Sequence, residues 1–333
     1  MNRFNLDIKN PGPILHRFRD IFSGQYNTTG TYLHLPAQHD YQNPLNLQRD
    51  KNVLGMKEEL LPEVLHSLGI RSMTLFGDYE LSALQALSSS LLGDGQNSST
   101  DYLKSPALIS ELTGLFASAK VIAFDDWSNF AGADIWQRLL SGVITPLARR
   151  DLEFVFYLGD ASNMPSFEVD RALEIITGFA SAGRITLALD EGEAVSLWKL
   201  LNGVSQQLSL GPQTVVDLKK KYFSVYRTLE LASLLVYSTD SALLFSSSEQ
   251  FSLSRKNVDI QVEQGNNARE NFILGYSAGL HGDMGLAQSI TLGLVVFGAC
   301  GRYQTAPDQQ AIQSYISDWI SDLDKPESIH LYQ

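Results

Sequence analysis

The chain has 333 residues, with 25 basic and 37 acidic side chains and a formal net charge of −12. This balance argues against nucleic-acid and anionic-membrane partners, because both require a basic protein face. The single cysteine, Cys300, excludes an intrachain disulfide, and the most apolar run, Ile290 to Cys300, is too short to span a bilayer. We therefore expect a cytoplasmic protein that binds a small molecule or another protein.

The first 50 residues are polar and interrupted by prolines, and their clearest amphipathic run extends from Ile14 to Phe22. We identify no buried strand in this region, so residues 1–50 are predicted to form a divergent N-terminal segment. A domain of alternating strands and helices is expected over residues 51–333. The pattern leaves open whether the N-terminal segment is a lid, a partner-binding arm or a cap.

From Leu54 onward the sequence is typical of a helix-turn-strand unit. A short loop with Gly55 and Lys57 precedes an amphipathic helix, which ends at a Leu-Gly turn at residues 68–69. A strand is predicted next, over residues 72–76. The same pattern is also typical of an ordinary structural unit that binds nothing, and both interpretations stay open.

The middle of the chain alternates between buried strands and amphipathic helices. Beyond a polar loop at 91–100, strands are predicted at 119–124, 154–158 and 185–189, and helices at 135–147 and 167–180. This alternation predicts an α/β fold with a largely parallel sheet and helices on both of its faces. Ligands of such sheets bind at the carboxyl ends of the strands.

Carboxylates follow two of these predicted strands. Asp125 and Asp126 follow the first strand, while Asp190, Glu191 and Glu193 follow the third. Such groups can hold a cation or act as acid and base. They also serve as helix caps with a solvated first turn, which is the more frequent outcome.

The C-terminal third contains the stretch around which the functional prediction is built. A strand-turn-strand hairpin is predicted over 234–245, with Thr239 in its turn, and a last helix over 308–323. Between them, a polar turn at 264–267 leads into a run of apolar and small residues that extends to Tyr303. Such a junction directs backbone N–H groups and the positive end of a helix dipole at a ligand, so we predict a phosphate-binding site there.

A rival motif lies inside the same stretch. Residues 275–279 match G-x-S-x-G with Ser277 at its centre, and Asp322 and His330 complete the order Ser, Asp, His of α/β hydrolases. That motif requires a strand ending at the serine, whereas the run of apolar and small residues continues through it. A serine hydrolase that uses Ser277 is therefore kept as a remote alternative.

These features resemble the ribokinase-like (PfkB) carbohydrate kinases. In that family a turn, a Gly-Ala-Gly-Asp-like tetrapeptide and a helix rich in small residues follow one another. Here Asn267, Ala268, Arg269 and Glu270 stand at the positions of the tetrapeptide. The resemblance covers the chain from Leu54 to its C-terminus and implies a ribokinase-like fold.

Two further stretches are similar to motifs of the same family. Residues 189–194 resemble an Asn-x-x-Glu motif, with Asp190 in place of the Asn and Glu193 retained. The loop at 54–57 resembles the Gly-Gly-Asn loop of the first signature, with Lys57 at the sugar-contacting Asn. The family's glutamate organises Mg²⁺ and the water molecules around the phosphates, which implies that role for Glu193.

The resemblance implies ATP-dependent phosphoryl transfer to a hydroxyl of a sugar or small alcohol, with ATP and Mg²⁺ as cofactors and Glu270 as the base. The implied ATP contacts are Asn267, Ala268, Arg269, Asp190, Glu193 and Thr239; the implied acceptor contacts are Gly55 and Lys57; and the implied Mg²⁺ contact is Glu193.

The altered tetrapeptide leads to two functional predictions, an impaired kinase and a non-catalytic relative. Both glycines of the family's anion hole are replaced, and the extra methylene of Glu270 moves its carboxylate by about 1 Å, enough to cost about a hundredfold in rate. Arg269 either binds phosphate directly or pairs with Glu263 or Glu270 and fills the site. We therefore predict a kinase homologue with impaired or lost activity. The alternative is a non-catalytic pseudokinase with a ligand-binding or regulatory role, within a homo-oligomer.

Overall fold

The computed structural model describes residues 6–23, 31–35, 65, 68, 70–74, 106–125, 136–137, 139–208, 214–229, 232–255, 268–303 and 307–325. Within these ranges nine strands form one sheet. The strands are β1 (Asp7–Lys9), β2 (Thr31–Leu35), β3 (Arg71–Thr74), β4 (Ala119–Asp125), β5 (Leu152–Tyr157), β6 (Gly183–Asp190), β7 (Ser233–Tyr237), β8 (Ser241–Ser246) and β9 (Gln250–Ser254).

Eight α-helices lie in the described ranges. They are α1 (Gly12–Phe22), α2 (Pro106–Ser118), α3 (Ser166–Gly178), α4 (Glu191–Leu201), α5 (Val215–Leu229), α6 (Ala268–His281), α7 (Leu286–Tyr303) and α8 (Gln309–Leu323). None of them combines the length and the apolar character that a membrane crossing requires.

The sheet has the strand order β1-β9-β8-β7-β6-β5-β4-β2-β3. Every neighbouring pair is parallel except β7 with β8 and β8 with β9, so β8 is the one strand among those described that runs against the others. The predicted hairpin over 234–245 is therefore confirmed as β7 and β8. The predicted strands at 119–124, 154–158 and 185–189 are confirmed as β4, β5 and β6.

Each face of the sheet is covered by its own set of helices. Along β4, Ile122 and Phe124 pack into a core with α2 to α5, while Val121 and Ala123 pack into a second core with α1, α6, α7 and α8. Both faces are thus buried beneath helices, which explains why the central strands are nearly continuous apolar runs. The predicted α/β architecture, largely parallel with helices on both faces, is confirmed.

The N-terminal residues belong to this sheet, and the prediction that residues 1–50 contain no buried strand is wrong. Strand β2 pairs with β3 on one side and β4 on the other, and its residues 31–34 are buried. Strand β1 adds the edge beside β9, and α1 buries Leu15, Phe18 and Phe22 in the second core. A five-residue run between Gly30 and Pro36 is too short to show a clear strand period.

Two other predicted elements differ in detail or lie outside the described residues. The helix predicted over 135–147 is irregular, with a π-helical turn at Leu140–Ile144 and a 3-10 turn at Thr145–Leu147. The loop at 91–100 and most of the helix predicted before residues 68–69 lie outside the described ranges, as do Gly55 and Lys57.

Helices α6 and α7 form an antiparallel pair that approaches backbone to backbone. A Cβ added at Gly275 would lie 2.6 Å from the carbonyl oxygen of Leu292, and one at Gly279 would lie 2.5 Å from Cα of Ser289. Only glycine permits this approach, and it seats α6 against β4 and β5. The N-terminal turn of α6 is thereby held near the ends of those strands.

Candidate functional site

Four strands end at the same edge of the sheet with a polar or aromatic side chain. Asp125, Tyr157, Asp190 and Tyr237 are the last residues of β4, β5, β6 and β7. Asp125 is the register partner of Tyr157, and Asp190 is the register partner of Tyr237. Because these strands are parallel, their carboxyl ends form one continuous edge where a ligand site is expected.

Arg269, in the first turn of α6, reaches this edge and lies among carboxylates. Its Nη2 donates a hydrogen bond to Oδ1 of Asp125 at 2.6 Å. Its Nη1 lies 3.6 Å from Oε1 of Glu193, and its Nη2 lies 3.9 Å from Oε1 of Glu270. The three carboxylate side chains are each at least nine-tenths buried, whereas the Arg269 side chain is 25% exposed. We call Arg269, Asp125, Glu193 and Glu270 the Arg269 cluster.

The charge of this cluster explains why its arginine stays ionised. Burial lowers the pKa of Arg269, but the carboxylates of Asp125, Glu193 and Glu270 more than offset that effect, and the pKa is raised. A cation with several buried anions around it is held by charge-assisted contacts that water screens only weakly. The guanidinium therefore serves as the counter-ion of the surrounding carboxylates.

Asp190 and Glu193 form a capping box at the start of α4. The Asp190 side chain accepts a hydrogen bond from the Glu193 backbone N–H at 2.7 Å, and Oε2 of Glu193 accepts one from the Asp190 backbone N–H at 2.8 Å. The helix-cap interpretation of the carboxylates after β6 is thus confirmed. Burial and the neighbouring Asp190 raise the pKa of Glu193 to about 7, although Arg269 opposes the shift.

Aromatic residues and a glycine form the wall around Arg269. Its guanidinium carbon lies 5.4 Å from the ring centroid of Tyr157, whose hydroxyl is 2.6 Å from Nε2 of the buried His34. Burial raises the pKa of Tyr157 well above its usual value, and the charge of Asp125 adds to this. Gly159 has φ +78°, and a Cβ placed on it would lie 2.6 Å from Nη1 of Arg269. The turn after β5 therefore requires glycine.

Tyr237 closes the other side of the cluster. Its ring stacks on that of Phe272 of α6, with centroids 4.2 Å apart and planes inclined by 8°. Burial raises the pKa of Tyr237, and Glu193 adds to this effect while Arg269 opposes it. The hydroxyl thus stays protonated beside the carboxylates and is not a base at neutral pH.

The hypothesis that Arg269 pairs with acidic neighbours is supported, with a different principal partner from the one expected. The nearest oxygen belongs to Asp125, which lies 144 positions away in sequence, and Glu270 is the more distant contact. Glu263, the other partner considered, lies outside the described residues. Asp125 was recognised only as one of a pair of carboxylates after a strand, and no sequence signal connects it with Arg269.

Mg²⁺ and the phosphates of ATP, which the resemblance implies, do not fit this cluster as it is arranged. A divalent cation placed among the carboxylates would meet the guanidinium, and a phosphate placed against the guanidinium would meet the carboxylates of Asp125, Glu193 and Glu270. In the part of the chain that the structure describes, no three His, Cys, Asp or Glu side chains are grouped as a metal site.

The remaining predicted contacts are not part of the cluster. Thr239 is half-buried in the turn between β7 and β8, and no hydrogen bond or ion pair of Arg269 involves it. Ala268 is the first residue of α6, whereas Asn267, Gly55 and Lys57 lie outside the described residues. Their predicted roles stay predictions.

The hydrolase alternative does not have the geometry it requires. Ser277 lies in the middle of α6, with helix on both sides, and its side chain is completely buried. A nucleophile elbow needs a strand before the serine, a helix after it and an exposed serine Oγ. Asp322 lies in α8, while His330 is outside the described residues. The interpretation of Ser277 as a nucleophile is therefore wrong.

Comparison with known proteins supports the fold. No protein-family model matches the chain, and no curated protein matches it significantly in sequence. Among solved structures, the tetrameric inhibited form of phosphofructokinase-2 from Escherichia coli is similar at 11% identity and a TM-score of 0.51, over 87% of this chain and 99% of that one. The adenosine kinase from Sinorhizobium meliloti is similar at 13% identity and a TM-score of 0.50, over 89% and 99%. The ribokinase-like fold predicted from the sequence is confirmed.

Proposed function

We propose that this chain is a non-catalytic relative of the ribokinase-like kinases, a pseudokinase whose phosphoryl-transfer corner is occupied by Arg269. The observation that carries the proposal is the 2.6 Å contact between Arg269 Nη2 and Asp125 Oδ1 inside a group of three buried carboxylates. On this proposal the scaffold persists for a ligand-binding or regulatory role.

Phosphoryl transfer needs an anion cradle, a metal ion and a base on the acceptor hydroxyl. In this chain the residues implied for the cradle, the metal ion and the base contact one another or the backbone. Arg269 replaces a glycine of the cradle, and Glu193 accepts a hydrogen bond from the Asp190 backbone while facing the guanidinium. Glu270, the implied base, is buried, with Oε1 3.9 Å from Arg269 Nη2. On this proposal each of these side chains has a structural role and no catalytic one.

The free energies involved favour Arg269 remaining paired with the carboxylates over Arg269 binding a phosphate. Drawing the guanidinium away leaves buried carboxylates without their counter-ion, which costs about 3–5 kcal/mol in comparable pairs. A charged hydrogen bond to an incoming phosphate returns about 1.5–3 kcal/mol. The exchange is unfavourable, and the negative charge of Asp125 and its neighbours also opposes the approach of a triphosphate.

The test compares ATP binding and turnover in two matched variants. The triple variant N267G/R269G/E270D restores the family tetrapeptide, whereas the double variant N267G/E270D differs from it only in retaining Arg269. We expect no ATP-dependent phosphorylation of a sugar panel by the wild type or the double variant. In calorimetry, the triple variant is expected to bind MgATP at least tenfold more tightly than the double variant. Equal MgATP affinity in the two variants would refute the role of Arg269.

A second candidate function is an active but impaired kinase for a sugar or small alcohol. It is favoured by Glu270, which lies in the first turn of α6 close to the strand ends where an acceptor would bind. For this candidate the wild type turns over ATP with some member of the sugar panel, and E270Q abolishes the turnover. Turnover that survives E270Q would exclude Glu270 as the base.

We further propose a homo-oligomeric assembly. The similar phosphofructokinase-2 is described as tetrameric in its inhibited form. Light scattering coupled to size-exclusion chromatography tests this point, because a monomer of 36.9 kDa is well separated from a dimer or tetramer. A mass equal to that of one chain at micromolar concentration would contradict it.

A further inference from the structure

A second arginine, more deeply buried than Arg269, lies at the same edge of the sheet. Arg255 directly follows β9, which runs parallel to β7 because both are antiparallel to β8. The carboxyl end of β9 therefore faces the same way as the ends of β4 to β7. The Arg255 backbone N–H donates to the carbonyl oxygen of Asp240, in the turn between β7 and β8, at 2.6 Å. Arg255 and Arg269 thus lie on opposite sides of β7.

The Arg255 side chain has few partners for its charge. The residue is 5% exposed, its Nη1 donates to the Tyr315 hydroxyl at 2.7 Å, and its guanidinium carbon lies 5.9 Å from the centroid of the same ring. Its buried Nε has no hydrogen-bond acceptor among the described residues, and none of the ion pairs found in those ranges includes Arg255. A guanidinium offers five N–H donors, and among the described residues Nη1 donates to Tyr315 while the buried Nε has no acceptor.

Helix α7 holds this arginine and its tyrosine in place. A Cβ added at Gly298 would collide with both the Tyr315 hydroxyl and Nη1 of Arg255, so glycine is required where α7 passes the pair. Tyr315 is itself fully buried in α8 and packs against Trp319. The guanidinium is therefore fixed in position by two helices before any ligand arrives, which lowers the entropic cost of binding one.

An arginine cannot escape the cost of burial by losing its proton, because its pKa is too high. A buried cation is retained in proteins when an anion or a set of hydrogen-bond acceptors compensates for lost hydration. Tyr315 supplies one neutral acceptor. An unsatisfied buried donor calls for an explanation, and an ion or ligand that completes the site is one such explanation.

We propose that Arg255 and Tyr315 form a binding site for the oxyanion group, phosphate or carboxylate, of a small ligand. The Nε edge of the guanidinium carries the two parallel N–H groups with which arginine binds such groups, and the buried Nε has no acceptor among the described residues. The Tyr315 hydroxyl accepts from Nη1, so its own proton is free to point at a ligand oxygen. This site is separate from the Arg269 cluster and does not depend on whether that cluster catalyses phosphoryl transfer.

The test uses sodium phosphate and sodium malonate as probes, with sodium chloride at equal ionic strength as the reference. Thermal shift and calorimetry are measured for the wild type, R255M, Y315F and R269M. We expect at least one probe to raise the midpoint of the wild type and of R269M, and R255M to bind that probe at least tenfold more weakly. Y315F keeps the arginine and is expected to lose affinity only a few-fold. A larger response to phosphate than to malonate assigns the site to phosphorylated ligands, and the reverse assigns it to carboxylates.

Three outcomes would overturn the proposal. The first is a wild type that responds to neither probe, and the second is an unchanged response in R255M. The third is a response that R269M abolishes and R255M retains, which would place anion binding in the Arg269 cluster and also contradict the proposed function. If R255M does not fold, R255K replaces it. Lysine keeps the charge but lacks the planar fork, so binding should weaken by at least threefold, and unchanged binding would count against the site.

Discussion

Two arginines at one edge of the sheet, one partly and one almost completely buried, have opposite surroundings. Arg269 lies among three carboxylates and is 25% exposed in its side chain, whereas Arg255 is 5% exposed and its described partners are a tyrosine hydroxyl and ring. The first has its charge balanced within the protein. Arg255 has an N–H group without an acceptor among the described residues. The partners of an arginine, and not its burial alone, therefore decide whether it fills a site or binds a further ligand.

The difference originates in the elements that supply the partners. The carboxylates around Arg269 come from the end of β4 and the first turns of α4 and α6, which the sheet and the capping box fix independently. Around Arg255, the approaching surfaces come from α7 and α8, which present Gly298 and Tyr315. Changes that remove one arginine should therefore have opposite consequences for stability.

The largest effect is expected for R269M. Removing the guanidinium leaves Asp125, Glu193 and Glu270 buried without their counter-ion, and we expect a loss of about 4 kcal/mol in the free energy of unfolding at pH 8. Urea denaturation followed by circular dichroism measures it. The loss should shrink as the pH is lowered, because protonation then neutralises the carboxylates.

R184M is the matched control for that experiment. Arg184 binds Glu153 through two hydrogen bonds of 2.9 and 2.6 Å, but its side chain is 46% exposed. Because the Arg184 side chain is nearly half in solvent, which screens the pair, R184M should cost less than R269M, although the Glu153 side chain is only 17% exposed. Equal losses in the two variants would contradict the view of Arg269 as the counter-ion of a buried cluster.

The next effect concerns pH. The pKa of Glu193 is raised in the folded state to about 7, from an ordinary value of about 4.5. Between these values the folded state holds a proton that the unfolded state has released, so stability falls as the pH rises from about 4.5 to about 7 and is flat above. This group accounts for up to about 3 kcal/mol of that fall.

E193Q isolates this contribution. Glutamine still accepts the hydrogen bond from the Asp190 backbone, so the capping box is kept while the titration is removed. The free energy of unfolding of the wild type minus that of E193Q should decrease between pH 4.5 and 7. A difference that is constant over this range, or that increases, would show that Glu193 does not titrate in the folded protein as described.

A smaller effect is expected at Gly159. In G159A the alanine must adopt an unfavourable positive φ, and its methyl group displaces Nη1 of Arg269 from the carboxylates. We expect a loss of about 2 kcal/mol in the free energy of unfolding. G203A is the control, since Gly203 also has positive φ (+65°) but a Cβ there meets nothing within 4 Å, and we expect about 1 kcal/mol. The difference between the losses in G159A and G203A should vanish when each change is made separately in the R269M background. A difference that survives there would exclude Arg269 as its cause.

The smallest change in stability is expected for R255M. Because Arg255 has no carboxylate partner among the described residues, a methionine of similar length should leave the free energy of unfolding unchanged or raise it by about 1 kcal/mol in a buffer free of oxyanions. Chemical denaturation in sodium chloride is the measurement. A loss comparable to that of R269M would mean that Arg255 has internal partners as strong as those of Arg269, and the contrast between the two would disappear.

Most of the sheet was predictable from the sequence, because its central strands are buried on both faces and read as apolar runs. Strands β4, β5 and β6 and the hairpin of β7 and β8 follow from that signal. Strand β2 was missed although Thr31, Tyr32 and Leu33 are typical strand residues between a glycine and a proline. Its five residues include a polar histidine, His34, whose Nε2 lies 2.6 Å from the hydroxyl of Tyr157, 123 positions away.

The candidate site was predictable only in part. The family resemblance assigned Arg269, Glu270, Asp190 and Glu193 to one ATP-binding corner, and the position of the last two after a strand predicted the helix cap that the structure shows. The partnership of Asp125 with Arg269 was not visible, because it depends on the packing of α6 against β4. The role proposed for Arg255 was equally hidden, since a single arginine after a strand carries no sequence signal.

The sequence by itself determined most of the central strands and helices and their order, because apolar periodicity and capping act over a few residues and suffice to specify a sheet with helices on both faces. Only the tertiary structure decided what the charged residues do. A guanidinium binds whichever acceptors share its desolvated space, and folding brought three carboxylates to Arg269 but a tyrosine to Arg255. Charge pairing acts through space at distances of a few ångströms, and those distances do not exist until distant segments have packed together.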